Sequence, residues 1–455
     1  MDKAIFVYVA QPTMDFALAK KRDYFVKRDP QIGLAYLAAS LRQEGCECQI
    51  LDFSNHFMEL DEFKEYIGIE RPLFVGFYAA TAIQGRVIKY MKGLRESNPR
   101  INICVGGPDM YSSKVYLDAG ADLYCMGEGD LTIKDIFKFY KKEIPIEVID
   151  GISYKLNDVY MTSQRPMIKD LNTLPTPAWD LYDLKDYYNY HIFDMQTPYA
   201  SIMASRGCPF RCSYCISHKI WGGKVRVRSV PHIMKEIDWL IQNKGVKYIY
   251  FQDDIFGWNN EKWIKELCEA LTPKKIKWAC VLHPLSFMGH RSELIDTMAK
   301  AGCSFITTGL QSANKQILKN INRSPKEPET LAELVNIANK HGIITSVDFI
   351  FGLQGETEAT MEETLAYALK HKFTWCAFYH LSVLPGSEVE AKDSASKLPS
   401  KFIERKTKEI SRRFFLHPKK IFQLLWIAIF RNPTWTLRIL SNLRNINYVK
   451  EIAGF

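Results

Sequence analysis

The sequence has no long hydrophobic run and no repeat of fixed period. Its best candidate for a membrane segment, residues 421–430, is short and is interrupted by Gln423, whereas a helix needs about 20 apolar residues to cross a bilayer. The apolar run at residues 4–10 is too short for the core of a secretion signal and has no basic flank, so it indicates a first strand. We therefore expect a cytoplasmic protein that is neither a repeat array nor a membrane-spanning chain.

Outside residues 401–455 the chain also lacks a surplus of charge of either sign. That segment carries twelve Lys and Arg against three Glu, which accounts for the whole net charge of +9. Residues 1–400 are therefore neutral overall, and no nucleic-acid partner is favoured for the body of the protein.

The basic tail, residues 399–455, shows no strand pattern and is predicted to be helical. Its aromatic residues alternate with Lys and Arg. We favour a helical lid with a solvated basic face. The alternative is an amphipathic segment that makes peripheral contact with a membrane and reaches lipid-like substrates.

Disulfides are not expected among the eleven cysteines, because thiols stay reduced in the cytoplasm. A zinc ribbon is not indicated either, since no second cysteine pair follows Cys215. What the sequence does contain is Cys208, Cys212 and Cys215 on one short segment after a predicted strand. Three such thiolates are suited to hold an iron–sulfur cubane and to leave its fourth iron open.

Two successive patterns of alternating strands and helices indicate an α/β protein. Residues 1–150 contain five short apolar runs separated by amphipathic segments, which predict a doubly wound parallel sheet with ligands beyond the carboxyl ends of its strands. Residues 151–198 predict a hairpin at 151–163 and a proline-bearing linker. Six further strand and helix pairs in residues 199–398 predict a closed or partial (β/α)6 barrel.

The cysteine segment, Ser205-Arg-Gly-Cys-Pro-Phe-Arg-Cys-Ser-Tyr-Cys215, resembles the cluster loop of the radical S-adenosylmethionine (SAM) superfamily. The resemblance implies a 4Fe–4S cluster bound by the three cysteines, with SAM on its open iron. It continues in Phe251-Gln-Asp-Asp254, Gly309-Leu-Gln-Ser312 and Phe349-Ile-Phe-Gly-Leu-Gln-Gly-Glu356, although the family's usual Gly-Gly-Glu is absent. It assigns SAM contacts to Tyr214, Gln252, Asp253, Asp254, Gln311, Ser312 and Gly352. For Asp253 and Asp254, capping of a βα loop remains the alternative role.

The N-terminal sheet placed before this barrel is similar to that of the cobalamin-binding radical SAM enzymes, a group that includes the anaerobic magnesium-protoporphyrin ester cyclase and many methylases. The resemblance implies cobalamin contacts at Gly106, Gly107, Pro108, Gly127, Glu128 and Gly129. For Gly106 and Gly107, tight packing at a strand end is the alternative. The motif that supplies a histidine to cobalt is missing, since His56 has the wrong spacing, so we expect cobalamin without a protein axial ligand.

The resemblance implies an enzyme that cleaves SAM reductively to a 5′-deoxyadenosyl radical and, with cobalamin, methylates, cyclises or rearranges an unactivated carbon. It also implies a small-molecule or lipid-like substrate and a reductant such as flavodoxin or ferredoxin. Two rivals stay open: a radical SAM enzyme without cobalamin, and a non-catalytic iron–sulfur protein.

Overall fold

The computed structural model describes residues 2–10, 29–189 and 195–430. Contacts divide the chain into two compact units, Met1–Asn189 with Lys219–Val246, and Tyr190–His218 with Lys247–Phe455. The part of the basic tail beyond residue 430 lies outside the described residues.

The first unit is built on one sheet. Its strands are β1 (Lys3–Tyr8), β2 (Glu47–Asp52), β3 (Phe74–Tyr78), β4 (Ile103–Gly106), β5 (Leu123–Cys125), β6 (Ile152–Leu156) and β7 (Val159–Thr162). Their order is β2-β1-β3-β4-β5-β6-β7. Strands β1 to β5 are parallel, as predicted, and the hairpin β6–β7 is also confirmed. The sequence did not indicate that this hairpin extends the sheet, with β6 antiparallel to β5.

Helices cover both faces of this sheet. They are α1 (Ile32–Arg42), α2 (Leu60–Glu70), α3 (Gln84–Ser97), α4 (Ser113–Asp118) and α5 (Gly129–Tyr140). One core cluster joins the sheet to α2, α3 and α4, and a second joins the opposite face to α1 and α5. The predicted doubly wound arrangement is therefore confirmed, and its parallel strands end together at one edge.

The second unit is built on six parallel strands. The six are β8 (Tyr199–Ile202), β11 (Tyr248–Phe251), β12 (Lys277–Leu282), β13 (Cys303–Gln311), β14 (Ile344–Phe351) and β15 (Trp375–His380), and two short strands of the chain are β9 (Ser205–Arg206) and β10 (Arg226–Val227). The sheet order is β15-β14-β13-β12-β11-β8, with every neighbouring pair parallel. This is the partial form of the predicted barrel.

The remaining helices follow the strands along the chain. They are α6 (Ser217–Ile220), α7 (Val230–Lys244), α8 (Glu261–Leu271), α9 (Arg291–Lys300), α10 (Lys315–Asn320), α11 (Glu327–Lys340), α12 (Glu358–Lys370), α13 (Glu388–Ala391), α14 (Ser400–Phe415) and α15 (Pro418–Phe430). Helix α7 ends at Lys244 and is capped by Gly245, whose φ of 63° suits a left-handed C-terminal cap. Helices α14 and α15 agree with the prediction of a helical tail as far as residue 430.

Helix α7 belongs to the first unit by its contacts, although the sequence places it among the barrel elements. Its Glu236 is fully buried, pairs with Arg228 at 2.6 Å and accepts a hydrogen bond from the Trp179 indole at 2.7 Å. Arg228 also donates to the hydroxyl of Tyr36 on α1 at 3.1 Å. These long-range polar contacts explain the grouping, and no periodicity in the sequence could have indicated them.

Candidate functional site

The three cysteines of the predicted cluster loop lie between β9 and α6. Cys215 donates its backbone N–H to the carbonyl of Cys212 at 3.0 Å, so the loop turns sharply between these two thiols. Cys212 is buried and Cys208 and Cys215 are half-buried. Burial raises the pKa of the Cys208 thiol to about 12 and also raises that of Cys212, so iron has to displace protons when it binds.

The donor set, three cysteine thiols on one loop, fits an iron–sulfur cluster. Within the described parts of the chain, no three His, Cys, Asp or Glu side chains are arranged to hold one metal ion. Each thiolate of a cubane binds a different iron, so the three sulfurs need not converge on one point. Cys208, Cys212 and Cys215 are nevertheless near enough for their charges to act on one another.

Asp253 follows β11 and holds the chain that leads into the cluster loop. Its carboxylate accepts hydrogen bonds from the backbone N–H of Ala204 at 2.7 Å and from the hydroxyl of Ser205 at 2.8 Å. The side chain is buried, which raises its pKa to about 7. Both oxygens therefore have partners in the protein, and Asp253 positions the loop.

Asp254 acts on the next part of the same loop. Its carboxylate accepts hydrogen bonds from the backbone N–H of Gly207 and from the hydroxyl of Ser217, at the two ends of the cysteine segment. The neighbouring Gln252 is exposed. The sequence predicted that Gln252, Asp253 and Asp254 lie at this strand end. The structure adds that the two carboxylates contact the loop that carries the cysteines.

Arg323 is a residue of this site that the sequence reasoning missed. Its guanidinium donates to the Tyr214 hydroxyl at 3.2 Å and to the carbonyl of Gly309, at the end of β13, at 2.6 Å. It also donates to the buried carboxylate of Glu327 at 2.8 Å. Its positive charge opposes the effect of burial on the pKa of Cys212. Arg323 thus joins the cluster loop to the end of β13.

The ends of β13 and β14 carry three more predicted contacts. Gln311 has a φ of 72°, unusual for a residue other than glycine, and its side-chain oxygen is buried without a hydrogen-bond donor. Ser312 is buried and accepts a hydrogen bond from the backbone of Asn314 at 3.2 Å. Gly352, after β14, has a φ of 95°. An unmatched acceptor at this edge is suited to a ligand that brings a donor, as the hydroxyls and amines of SAM do.

In the first unit, Gly107 is required by packing. Its φ is 136°, and a Cβ atom there would lie 2.3 Å from the carbonyl oxygen of Ala79, just after β3. At Gly106, the last residue of β4, a Cβ would lie 3.2 Å from that of Cys125. Of the two explanations left open by the sequence, close packing of strand ends accounts for Gly107, and Pro108 continues this turn.

The loop after β5 contains a glycine, Gly127, that faces open space. Gly127 has a φ of 69° and a Cβ there would meet nothing within 4 Å. By contrast, the Glu128 carboxylate is buried and accepts hydrogen bonds from the backbone of Ile168 at 2.7 Å and from Arg226 at 2.9 Å. Gly129 begins α5, where a Cβ would lie 3.0 Å from a methyl of Leu37. Gly127 therefore faces open space, while Glu128 and Gly129 fix the loop beside it.

Asp109 was also missed by the sequence reasoning, and it ties together the loops after β3 and β4. Its buried carboxylate accepts four hydrogen bonds. The donors are Thr81 at 3.1 Å, Gln84 at 3.1 Å, Ser112 at 2.8 Å and Tyr116 at 2.7 Å. A carboxylate whose oxygens all have hydrogen-bond donors holds both loops in one arrangement.

His56, which the sequence analysis set aside as a ligand to cobalt, is exposed in the turn after β2.

Two family models match the chain in the order of the two sheets. The B12 binding domain matches residues 27–137, and the radical SAM superfamily matches residues 202–368. The first contains the open position at Gly127, and the second contains the cysteine loop, Asp253, Asp254 and Arg323. Both sets of residues fit the cofactors that these families bind.

Curated relatives cover most of the chain. An uncharacterized methyltransferase of Pyrococcus horikoshii is 28% identical over 365 residues, 79% of this chain and 77% of its own length. The anaerobic magnesium-protoporphyrin IX monomethyl ester cyclase of Rubrivivax gelatinosus is 26% identical over 353 residues, 74% of this chain and 62% of its own length.

A solved structure shares the fold. The radical SAM methyltransferase TsrM from Kitasatospora setae, with cobalamin and a [4Fe-4S] cluster bound, superposes with a TM-score of 0.68 over 86% of this chain and 74% of its own, at 17% identity. At that identity the likeness shows a shared fold.

Proposed function

We propose that this chain, which belongs to the cobalamin-binding radical SAM enzymes of methyltransferase and cyclase type, transfers a methyl group to an unactivated carbon of a small or lipid-like molecule. The observation that carries the proposal is the loop with Cys208, Cys212 and Cys215. Residues at the ends of β11 and β13 hold this loop in place through hydrogen bonds. A one-electron carrier such as flavodoxin or ferredoxin is the proposed reductant.

When bound, the cofactors would supply the difficult chemistry, the 4Fe–4S cluster an electron for the cleavage of SAM and cobalamin the capacity for methyl transfer. The chain's own residues bind and orient. Cys208, Cys212 and Cys215 are the proposed cluster ligands. Asp253 and Asp254 fix the loop on which these cysteines lie. Asp253 accepts hydrogen bonds from Ala204 at 2.7 Å and Ser205 at 2.8 Å. Asp254 accepts hydrogen bonds from Gly207 and Ser217.

At the ends of β13 and β14, the proposed SAM contacts are Tyr214, Gln311, Ser312 and Gly352. The side-chain oxygen of Gln311 is the acceptor that is left for a ligand donor. Arg323 orients Tyr214 through the hydrogen bond at 3.2 Å. Gln252, which is exposed after β11, remains a proposed contact as well.

In the first unit, the loops after β4 and β5 are proposed to bind cobalamin, with Gly127 beside the ligand. Asp109 and Glu128 keep these loops in place through buried carboxylates. Gly106, Gly107 and Pro108 form the backbone of the neighbouring turn.

The proposal is tested with anaerobically purified, iron-loaded protein. It is incubated with SAM bearing a trideuterated methyl group, cobalamin, a chemical reductant and a small-molecule extract. We expect S-adenosylhomocysteine, 5′-deoxyadenosine and a product that is heavier by the labelled methyl group. Mass spectrometry measures all three.

Other results would point to the rival functions. A product without label, formed together with 5′-deoxyadenosine, would replace methyl transfer by cyclisation or rearrangement. Protein without affinity for cobalamin would be a radical SAM enzyme of another type. Absence of both nucleoside products from cluster-loaded protein would leave a non-catalytic iron–sulfur protein.

The substitution Gly127→Asn tests the cobalamin loop. Asparagine tolerates positive φ, and the site has room for its side chain, so the fold is kept at a cost of about 1 kcal/mol or less. We expect the variant to bind cobalamin at least about 10-fold more weakly, because the new side chain occupies the ligand's space. Cobalt content and the visible spectrum measure the change.

Gly45→Asn is the matched control. Gly45 has a φ of 77° and equally open surroundings, but it precedes β2 at the opposite edge of the sheet. Equal cobalamin affinity in the two variants would contradict the assignment of the loop. Gly107→Leu is unsuitable as a probe, because its side chain would collide with the backbone at Ala79 whatever the ligand.

A further inference from the structure

Helix α15 presents an apolar face to solvent. Its outward arc consists of large hydrophobic side chains that recur at helical spacing. They are Ile421 (39% exposed), Phe422 (73%), Leu425 (51%), Trp426 (57%), Ile429 (55%) and Phe430 (70%). Apolar residues scattered singly over a surface are ordinary, whereas six on one arc form a continuous patch of the kind that marks an interaction surface.

Two side chains of this helix, Lys420 and Ile427, point the other way. Lys420 is 3% exposed and its ammonium donates to the backbone carbonyl of Phe373 at 2.6 Å. Ile427, on the same side, is 5% exposed. This buried side anchors α15 to the second unit, so the apolar arc faces outward as a consequence of the anchoring.

Positive charge accompanies the apolar arc. Exposed basic residues lie before and within α15 at Lys401, Arg405, Arg413 and Lys419. Helices α14 and α15 together carry eight Lys and Arg against two Glu, and the sequence after residue 430 adds four more basic residues and one Glu. A surface that combines exposed aromatic rings with a surplus of Lys and Arg is complementary to anionic lipid headgroups over an acyl layer.

The dimensions of α15 suit an arrangement along a membrane surface. Its 13 residues extend about 20 Å, less than the roughly 30 Å of a bilayer's hydrocarbon core. None of the helices in the described ranges is long and apolar enough to cross a membrane. A helix of this length, held by one side and apolar on the other, can lie parallel to the lipid surface.

We propose that the outward arc of α15 docks on an anionic membrane surface, with Phe422, Trp426 and Phe430 inserted among the lipids and the neighbouring Lys and Arg at the headgroups. This goes beyond the proposed reaction, which does not require a membrane, and it gives the chain a peripheral membrane location.

The test is co-flotation of the full chain with vesicles of phosphatidylcholine containing phosphatidylglycerol, compared with phosphatidylcholine alone. We expect binding to the anionic vesicles that weakens with added salt. The triple variant Phe422→Ser, Trp426→Ser, Phe430→Ser should bind about 100-fold more weakly, because three insertable rings are lost. Its melting temperature should equal that of the parent, since all three side chains are more than half exposed.

The matched control is Ile69→Ser, Val148→Ser, Met288→Ser, which removes three comparably exposed apolar side chains elsewhere (71%, 61% and 58% exposed) and should bind like the parent. Three results would overturn the proposal. They are absence of binding to anionic vesicles, equal weakening by the control, or a parent dimer that the triple serine variant converts to a monomer without lipid. A fall in the melting temperature of the triple serine variant without vesicles would also overturn it, since residues 431–455 or another part of the chain would then cover the arc.

Discussion

The variant Cys212→Ala is expected to lose its cluster iron and to cleave SAM at the background rate. Cys212 is the most buried of the three cysteines, at 8% exposed, so no other thiol or water molecule can replace it easily as a ligand. A cluster held by two remaining thiolates is not retained through purification. Cys208→Ala and Cys215→Ala should behave in the same way. Iron analysis, visible absorbance and the yield of 5′-deoxyadenosine measure these losses.

Cys268→Ala and Cys303→Ala are the controls for this experiment. Both side chains are buried, 2% and 5% exposed, and Cys303 begins β13 at the opposite end from the predicted SAM contacts. Each variant should lose about 1 kcal/mol of stability from a smaller core side chain but should keep its iron. Equal iron loss in both sets would contradict the assignment of the cluster loop.

Arg323→Ala should reduce SAM cleavage by about 100-fold or more and also destabilise the second unit. Without the guanidinium, Tyr214 and the carbonyl of Gly309 lose a shared donor, and displacement of a positioning group by about 1 Å is enough for such a loss of rate. Glu327, 1% exposed, would be left as a buried charge without its partner, which costs about 3–5 kcal/mol. Single-turnover SAM cleavage and denaturant unfolding measure the two effects separately.

Arg291→Ala separates the loss of rate from the loss of stability. Arg291 is also buried, 3% exposed, and pairs with Glu333 at 2.7 Å, but its other hydrogen bonds go to backbone carbonyls outside the cluster loop, such as that of Ser286. It should lower stability while the cleavage rate of the folded protein stays near that of the parent. If both variants lost the same activity per folded molecule, Arg323 would have a purely structural role.

The strands of both sheets could be predicted because their signal is local. The five apolar runs predicted in residues 1–150 correspond to β1 to β5, and the six strand and helix pairs predicted in residues 199–398 correspond to the six parallel strands of the second unit. A buried parallel strand is apolar along its whole length and bounded by turn residues, so its position is visible in a single stretch of sequence. The cysteine loop could be predicted for the same reason, since its three cysteines lie within eight residues of one another.

Residues whose role depends on distant partners could not be found in this way. Asp109 gathers four donors from two loops, and Arg323 meets Tyr214 more than 100 positions away in the chain. Many other Asp and Arg residues have sequence neighbours of the same kind, so the local sequence does not distinguish Asp109 or Arg323 from them. For Arg323 and Glu327, the spacing of four is a weak signal of a helical ion pair and says nothing about a cluster loop.

The sequence by itself determined the order of the two α/β domains and the loop on which the three predicted cluster cysteines lie, and it predicted the strand ends at which ligand contacts are expected. Those features depend on periodicity and short spacings, which the chain carries within each segment. Only the tertiary structure decided what each strand-end residue does. It assigned Gly107 to packing against Ala79 and Gly127 to open space, and it turned the apolar arc of α15 outward by burying Lys420. The physical reason is that space, burial and hydrogen-bond partners are properties of atoms brought together from separate segments, and no single segment contains them.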